Sequence, residues 1–567
     1  MIFVAEFVAA VDSGGTLETI LVGSEGFMTG AADTPASTPV RARLVNPGEF
    51  SRSIASGKLL IGQVSAGFGT CVIANGDGAL DAWCAYGVGD RAFTLRACDE
   101  HPGTYPAGWT TIYVATMDSI VPSGQNLHIK LAEKIRRLEK PMCGTFAGTG
   151  GIEGPADYDG EPKPVCYGAV YNAPLTLLDS AELIYMASSR GSVVANHAKD
   201  KGSVIARALT SGDDGDATTI DPDAYADYAA LEAANVPIGH YVTIASAGVA
   251  KFGSPPVGQL TADLMELTGP DTDVAFGAGD RWTEGDTGTA NTDAACAYWN
   301  VIQSMALDAG LDPSEISTDD WTFFDAHYDD SFQFGFYARD LSTTYAQGMS
   351  LVAASAAAWV GFDRLGVLRL QEMYEPDHTF PFTTDRDDVA WEFDEHSIAL
   401  DSLSLVQSEE PGRGVPFRRI VMRYPRNWTP QTDLAGAVTD EVRAQVSQDW
   451  PKTVTRASTT IDDQYKNAGD FDLDVYTYGW RASTAGDLQT NSGGATLTKL
   501  RDMLCTYRQW VEFDAPFALD MLAAVDIGSL VQVTHPRFGL DAGKVFRVVG
   551  IRYSFTGAPK VRLTVWG

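Results

Sequence analysis

Carboxylates and imidazoles crowded together in sequence are where metal or hydrolytic chemistry would begin, and one such cluster stands out, Asp325-Ala-His327 followed by Asp329 and Asp330. A metal needs a third and fourth ligand at fixed geometry, and the sequence does not point to them, so the cluster reads as a polar loop. Asp213-Asp-Gly-Asp216 with Asp221 and Asp223 has the composition of a calcium loop. No register there puts ligands at alternate positions with Gly sixth and Glu twelfth, which leaves a solvated loop. The glycine run from Gly144 to Gly154 lacks the Lys-Ser/Thr of a phosphate loop and the strand-loop-helix frame of a dinucleotide site. It reads as a wide turn. There is no Gly-x-Ser-x-Gly elbow, and with 74 acidic residues a pair of carboxylates says nothing about glycoside hydrolysis. The expectation is a protein with no catalytic residue, no cofactor-binding residue and no metal ligand.

The formal charge of −33 disfavours a grip on nucleic acid, which needs clustered Lys and Arg. Between Lys201 and Asp340 stand 24 acidic and 5 basic residues, so the middle of the chain carries more than half of the net negative charge. This is either a solvated surface or a negative wall past which a polyanion slides. The seven cysteines, at 71, 84, 98, 143, 166, 296 and 505, form no Cys-x-x-Cys and read as reduced core residues. Against this background the stretch from Lys130 to Lys140 is basic. Read as a helix, it puts Lys130, Lys134 and Arg137 on one side and Leu131, Ile135 and Leu138 on another. It is an ordinary amphipathic helix or a docking face for an acidic neighbour.

The elements that would carry these residues are mostly strands. Alternation predicts a hairpin over 2–11 and 16–21, strands over 59–64, 69–74, 92–97, 110–116 and 126–131, and a turn at Asn75-Gly-Asp-Gly78. A short helix is expected at 132–139. An Ala-rich helix at 224–234 would open at Asp221-Pro222. Residues 269–289 read as a loop and 292–310 as a helix closed by Gly310. Ser342 would cap a helix running to Val360 and closed by Gly361, followed by a hairpin over 362–370. Strand 416–424, helices near 433–448 and 495–511, and three closing strands within 528–567 complete the pattern. The glutamate at position 6 and the lack of a basic leader make the N-terminus a first strand, and no run approaches a membrane span. A chain of 567 residues should fold as several domains, packed together since no disordered linker is apparent.

Several phrases resemble one known family. The C-terminus runs Gly528-Ser-Leu-Val-Gln-Val-Thr-His-Pro-Arg-Phe-Gly-Leu540, then Lys544-Val-Phe-Arg-Val-Val-Gly-Ile551. Before it, in order, come Asn75 to Asp81 with Gly89 to Arg96, Lys140-Pro-Met with Gly148 to Gly154 and Gly160 to Gly168, then Val249 to Asp263, Ala356 to Leu370, and Tyr424-Pro-Arg-Asn-Trp-Thr-Pro430. Together they resemble the tail-tip, or baseplate hub, proteins of long-tailed (siphovirus-like) phages and gene transfer agents. The resemblance implies a mainly β fold with α+β insertions and two tail-tube-like β-barrels. It implies a structural virion protein forming a homotrimeric ring that closes the tail tube, anchors a central fibre or spike and opens for DNA ejection. Its partners would be the distal tail protein, the tape measure protein, another hub protein and the fibre protein. DNA would pass without specific binding, and the host envelope would be met only indirectly. The expected domains are 1–182, a first barrel-type domain; 183–290, an acidic β-rich insertion; 291–375, α+β; and 376–567, a second barrel-type domain with helical insertions. Assembly is expected in the host cytoplasm, and the end at Gly567 leaves the receptor-contacting part to another protein. Two other classes compete: a tail-associated cell-wall hydrolase, and a carbohydrate-binding tail protein with Trp282, Trp299 and Trp321 lining a groove.

Overall fold

A computed structural model describes residues 1–54, 61–191, 193–200, 225, 227–236, 238, 241–255, 260–266, 296–327, 334–378, 388–406, 412–430, 440, 444, 447–477, 500 and 502–567. The architecture is mainly β with a few helices inserted. Alternating burial along residues 5–10 and 92–97 shows why these segments are strands: every second side chain enters the core. The first sheet has nine strands. In spatial order they are Phe27–Met28, Pro39–Ala42, Leu17–Gly23, Ile2–Ala10, Ala92–Cys98, Thr110–Ser123, Asn126–Ala132, Cys71–Ala74 and Leu44–Asn46.

Two strands far apart in that row, Pro39–Ala42 and Leu44–Asn46, are separated in the chain only by Arg43. The Arg43 backbone N–H donates to Gly23 at 3.0 Å, and its carbonyl accepts from Ala74 at 2.8 Å, so one residue joins strands from opposite ends of the row. The chain then crosses to another sheet within Pro47-Gly48. Gly48 takes a φ of 94°, and a β-carbon there would lie 3.3 Å from the Tyr113 hydroxyl and 3.4 Å from the Gly69 carbonyl, which explains the glycine.

Beyond Gly48, Glu49–Ser53 pairs antiparallel with the long Leu540–Ser554 strand, from Ser53 opposite Gly550 to Glu49 opposite Ser554, and on its other edge with Ser65–Phe68. The C-terminal sheet otherwise runs Val389–Phe393, Leu530–His535, Leu540–Ser554, Lys560–Trp566, Trp510–Pro516, Ser404–Leu405. An N-terminal strand is thus a working member of the C-terminal sheet. Phe50 seals the junction, with ring centroids 5.5 Å from Tyr113 and 6.2 Å from Tyr553. Burying such a side chain is worth about 1.5–3 kcal/mol.

Two four-stranded sheets fill the middle. One contains Val165–Pro174, buried along its whole length, and Gly335–Ala338 beside it. A strand covered on both faces reads as a continuous apolar run. The helices Tyr298–Asp308 and Tyr345–Ser355 pack together and join the principal core.

Several expected elements differ. The basic stretch is not one helix: Lys130 lies in the Asn126–Ala132 strand, and only Lys134–Leu138 winds, as a short 3₁₀ turn. The helix expected from Ser342 is capped by Thr344 in a reciprocal capping box with Gln347 and ends at Ser355. Ala357 turns the chain at a φ of 56°, and Ala358–Phe362 is a buried strand, which pairs with Leu368–Glu372. The Ala-rich helix is limited to Tyr228–Glu232 and capped by Asp227. Val511, expected in a helix, lies in the Trp510–Pro516 strand. The loop 269–289, most of the helix expected at 433–448, and Asp221-Pro222 lie outside the described residues.

Candidate functional site

The residues singled out for chemistry that are described are engaged within the fold. Asp325 and His327 sit in the Thr318–His327 helix rather than a loop; the Asp325 carboxylate accepts the Trp299 indole N–H at 2.6 Å, and the His327 ring packs edge-on against Phe323. Helical propensity around these residues was masked by the adjacent polar pair Asp329 and Asp330, which lie outside the described residues. So do Asp213 to Asp216, Asp221, Asp223 and Trp282. Among the described residues no three His, Cys, Asp or Glu side chains are grouped to hold a metal ion, and no helix is long and apolar enough to cross a membrane. The run Gly144–Gly154 is a tight series of turns, in which Glu153 accepts from the Ala147 N–H at 3.0 Å and pairs with Lys163 at 2.6 Å. Trp299 and Trp321 line no groove. Both are buried, and the Trp321 indole N–H donates to the Trp299 carbonyl at 2.9 Å.

Most cations of the basic stretch are spent within the chain. Lys134 and Arg137 both reach Glu315, at 3.1 and 2.7 Å. Burial tends to raise the Glu315 pKa, but the Asp312 backbone N–H, Arg137 and Lys134 outweigh it and hold the carboxyl below its usual range. An intramolecular clamp therefore stands where the sequence left an amphipathic helix or a docking face open. The seven cysteines are free, and six are buried; Cys84 is exposed, against expectation. Burial alone pushes the Cys71 thiol up to about 12.

Three arrangements stand out instead. The first is the strand junction at Phe50, reinforced by the buried Arg52 paired with Asp526. The second lies on the outer face of the C-terminal sheet, where Asp514 takes Arg562 at 2.5 Å and Lys560 at 2.9 Å, with the Glu49–Arg552 pair beside it. The Arg562 hydrogen bond, opposed by partial burial and aided by Lys560, holds Asp514 below its ordinary pKa.

The third is a cleft of about 640 Å³ whose lining includes Gln63, Phe336, Arg339, Gln347, Arg426, Trp428 and Tyr476. Its Arg-Asn-Trp wall is locked in place by Asn172, whose side-chain amide donates to Asn427 at 2.7 Å and to the Thr429 carbonyl at 2.9 Å, while Thr429 returns a bond to the Asn172 carbonyl. The Tyr424–Pro430 phrase alone does not reveal the cleft, because Phe336, Arg339 and Tyr476 reach it from segments distant in sequence.

No family model matches the chain, and no curated protein matches it. Solved structures it is similar to include tail proteins, some from prophages, and a gene transfer agent particle. The 43 kDa tail protein of prophage MuSo2 from Shewanella oneidensis is 9% identical, with 99% of this chain and 98% of that one covered and a TM-score of 0.33. A tail protein from Neisseria meningitidis MC58 is 8% identical, with 100% and 96% covered and a TM-score of 0.34. The virion of a native gene transfer agent particle is 12% identical over 47% of this chain and 79% of that one, with a TM-score of 0.15. At these scores the likeness is distant, and no residue role follows from it.

Proposed function

We propose that this chain is a structural protein of a phage-type tail, the hub at the distal end of the tail tube. The observation that carries the reading is the shared strand Glu49–Ser53, entered directly from a nine-stranded sheet and built into the C-terminal sheet. In this reading the first sheet rolls up through Arg43 into one tube-like barrel, and the C-terminal sheet with its borrowed strand forms the second. Two barrels locked by one strand and one core transmit load without a hinge, as a ring closing a tube requires. The ordered sequence phrases support the same assignment, since they fall in both sheets and in the segments between.

Three copies would give six barrels, matching a hexameric tube by pseudo-sixfold symmetry. The ring would close the tube around the tape measure protein, mount a central fibre or spike and open for DNA ejection. Acidic residues along the lumen would give phosphates no counter-charge. Cryo-electron microscopy of particles carrying an epitope-tagged chain tests this, with threefold density expected at the distal tail end. Sedimentation of the purified chain as a monomer with no incorporation into tails would overturn the assignment. A basic lumen would overturn the sliding mechanism alone. Lysis of cell-wall substrate in a zymogram would favour the hydrolase.

A further inference from the structure

We propose that the cleft between the Gly335–Ala338 strand, the Tyr345–Ser355 helix and the Tyr424–Pro430 turn binds a saccharide bearing a carboxylate. Its volume, about 640 Å³, lies within the range of small-ligand sites and is large enough for a sugar unit and part of its neighbour. One wall is aromatic. Trp428 and Tyr476 are only partly buried, their ring centroids 6.0 Å apart, and Phe336 backs both at 5.5 and 5.4 Å. Such a wall takes the apolar C–H face of a pyranose, and the Trp428 indole and Tyr476 hydroxyl add polar edges.

The charges select the anion. Arg339 is exposed, lines the cleft and has no hydrogen-bond or ion-pair partner among the described residues. Asp340, which also lines the cleft, does not neutralise it through a direct pair. Its carboxylate is committed to the Ser342 hydroxyl at 2.5 Å, the Thr343 N–H at 2.8 Å and the Thr343 hydroxyl at 3.0 Å, and the Ser342 bond, outweighing partial burial, holds it below the usual pKa. Arg426 lies over the rings of Trp428 and Trp450, at 5.6 and 5.2 Å, and its ion pair with Asp449 is long, 3.5 Å. A guanidinium over aromatic faces can keep edge donors for a ligand. Each guanidinium is a planar fork that matches a carboxylate, while amides from Gln63 and Gln347 suit hydroxyls. A polyphosphate is disfavoured because the chain carries a net charge of −33; a single carboxylate on a neutral ring suffers much less repulsion.

This site stands independently of the tail-hub assignment. It is tested on the full chain by saturation-transfer NMR and calorimetry with a hyaluronan tetrasaccharide and 3′-sialyllactose as acidic probes and chitotetraose as the neutral one. Binding of at least one acidic probe is expected, about tenfold or more tighter than the neutral sugar. Arg339→Ala should weaken it about tenfold or more, while Arg41→Ala, in the first sheet, should leave it unchanged. Arg339 is exposed, so its variant should fold, as circular dichroism would verify. Absence of binding by both acidic probes, equal binding of the neutral sugar, or full affinity in Arg339→Ala would each overturn the proposal.

Discussion

Replacing Asp320 should reveal how much of this fold hangs on a single carboxylate. Asp320 is 1% exposed, at the start of the Thr318–His327 helix. It receives the Arg369 guanidinium at 2.5 and 2.9 Å, the Leu370 backbone N–H at 3.2 Å and the Gln371 amide at 3.3 Å, tying the helix to the Leu368–Glu372 strand. Burial works against the charge on Arg369, yet the bond to Asp320 and its negative charge hold the Arg369 pKa above its ordinary value. Asp320→Ala would strand that cation and leave the Leu370 N–H without this acceptor. Breaking a buried pair from one side costs about 3–5 kcal/mol, chiefly because an uncompensated charge remains. Asp320→Leu combined with Arg369→Met removes both charges and should recover most of that loss. Urea unfolding followed by tryptophan fluorescence is the assay, with Trp321 as the adjacent reporter. A loss below about 1 kcal/mol for Asp320→Ala, or additive losses in the double variant, would refute the reasoning.

Phe50→Ala should cost about 3–5 kcal/mol and make the 44–53 crossing the first site of proteolysis, whereas Phe50→Leu should cost about 1.5 kcal/mol or less; equal proteolysis of wild type and Phe50→Ala would count against the junction. Asp514 has a folded pKa below its ordinary 3.8, so its stabilisation is fully present above that value and is lost as pH falls through the lowered one. Asp514→Asn should therefore be less stable than wild type at neutral pH, with the urea midpoints converging below about pH 4; a constant gap would contradict the assignment. Native-state titration with a disulfide reagent should modify Cys84 well before the other thiols, because it alone is exposed. Cys84→Ser should abolish the fast phase.

Local pattern carried much of the secondary structure. Alternation marked Ala92–Cys98 and Asn126–Ala132 because a half-buried strand must alternate to bury one face. It failed at Ala358–Phe362, a strand buried on both faces whose apolar run continues that of the preceding helix. Only the φ of 56° at Ala357 and pairing with Leu368–Glu372 separate the two. Trp299 and Trp321 were ambiguous in the same way, since an aromatic residue serves a groove or a core equally well until its neighbours are known.

The sequence by itself determined that the chain is β-dominated, strongly acidic and without a recognisable catalytic motif, because strand period, charge and motif spacing are local properties. Tertiary structure decided where the edges go. The Glu49–Ser53 strand finds its partner about 500 residues away at Gly550–Ser554, and Arg339 meets Trp428 and Tyr476 only in the folded cleft. Strand hydrogen bonds satisfy any backbone of the right register, so the choice among distant partners is made by side-chain packing, which no stretch of sequence carries alone.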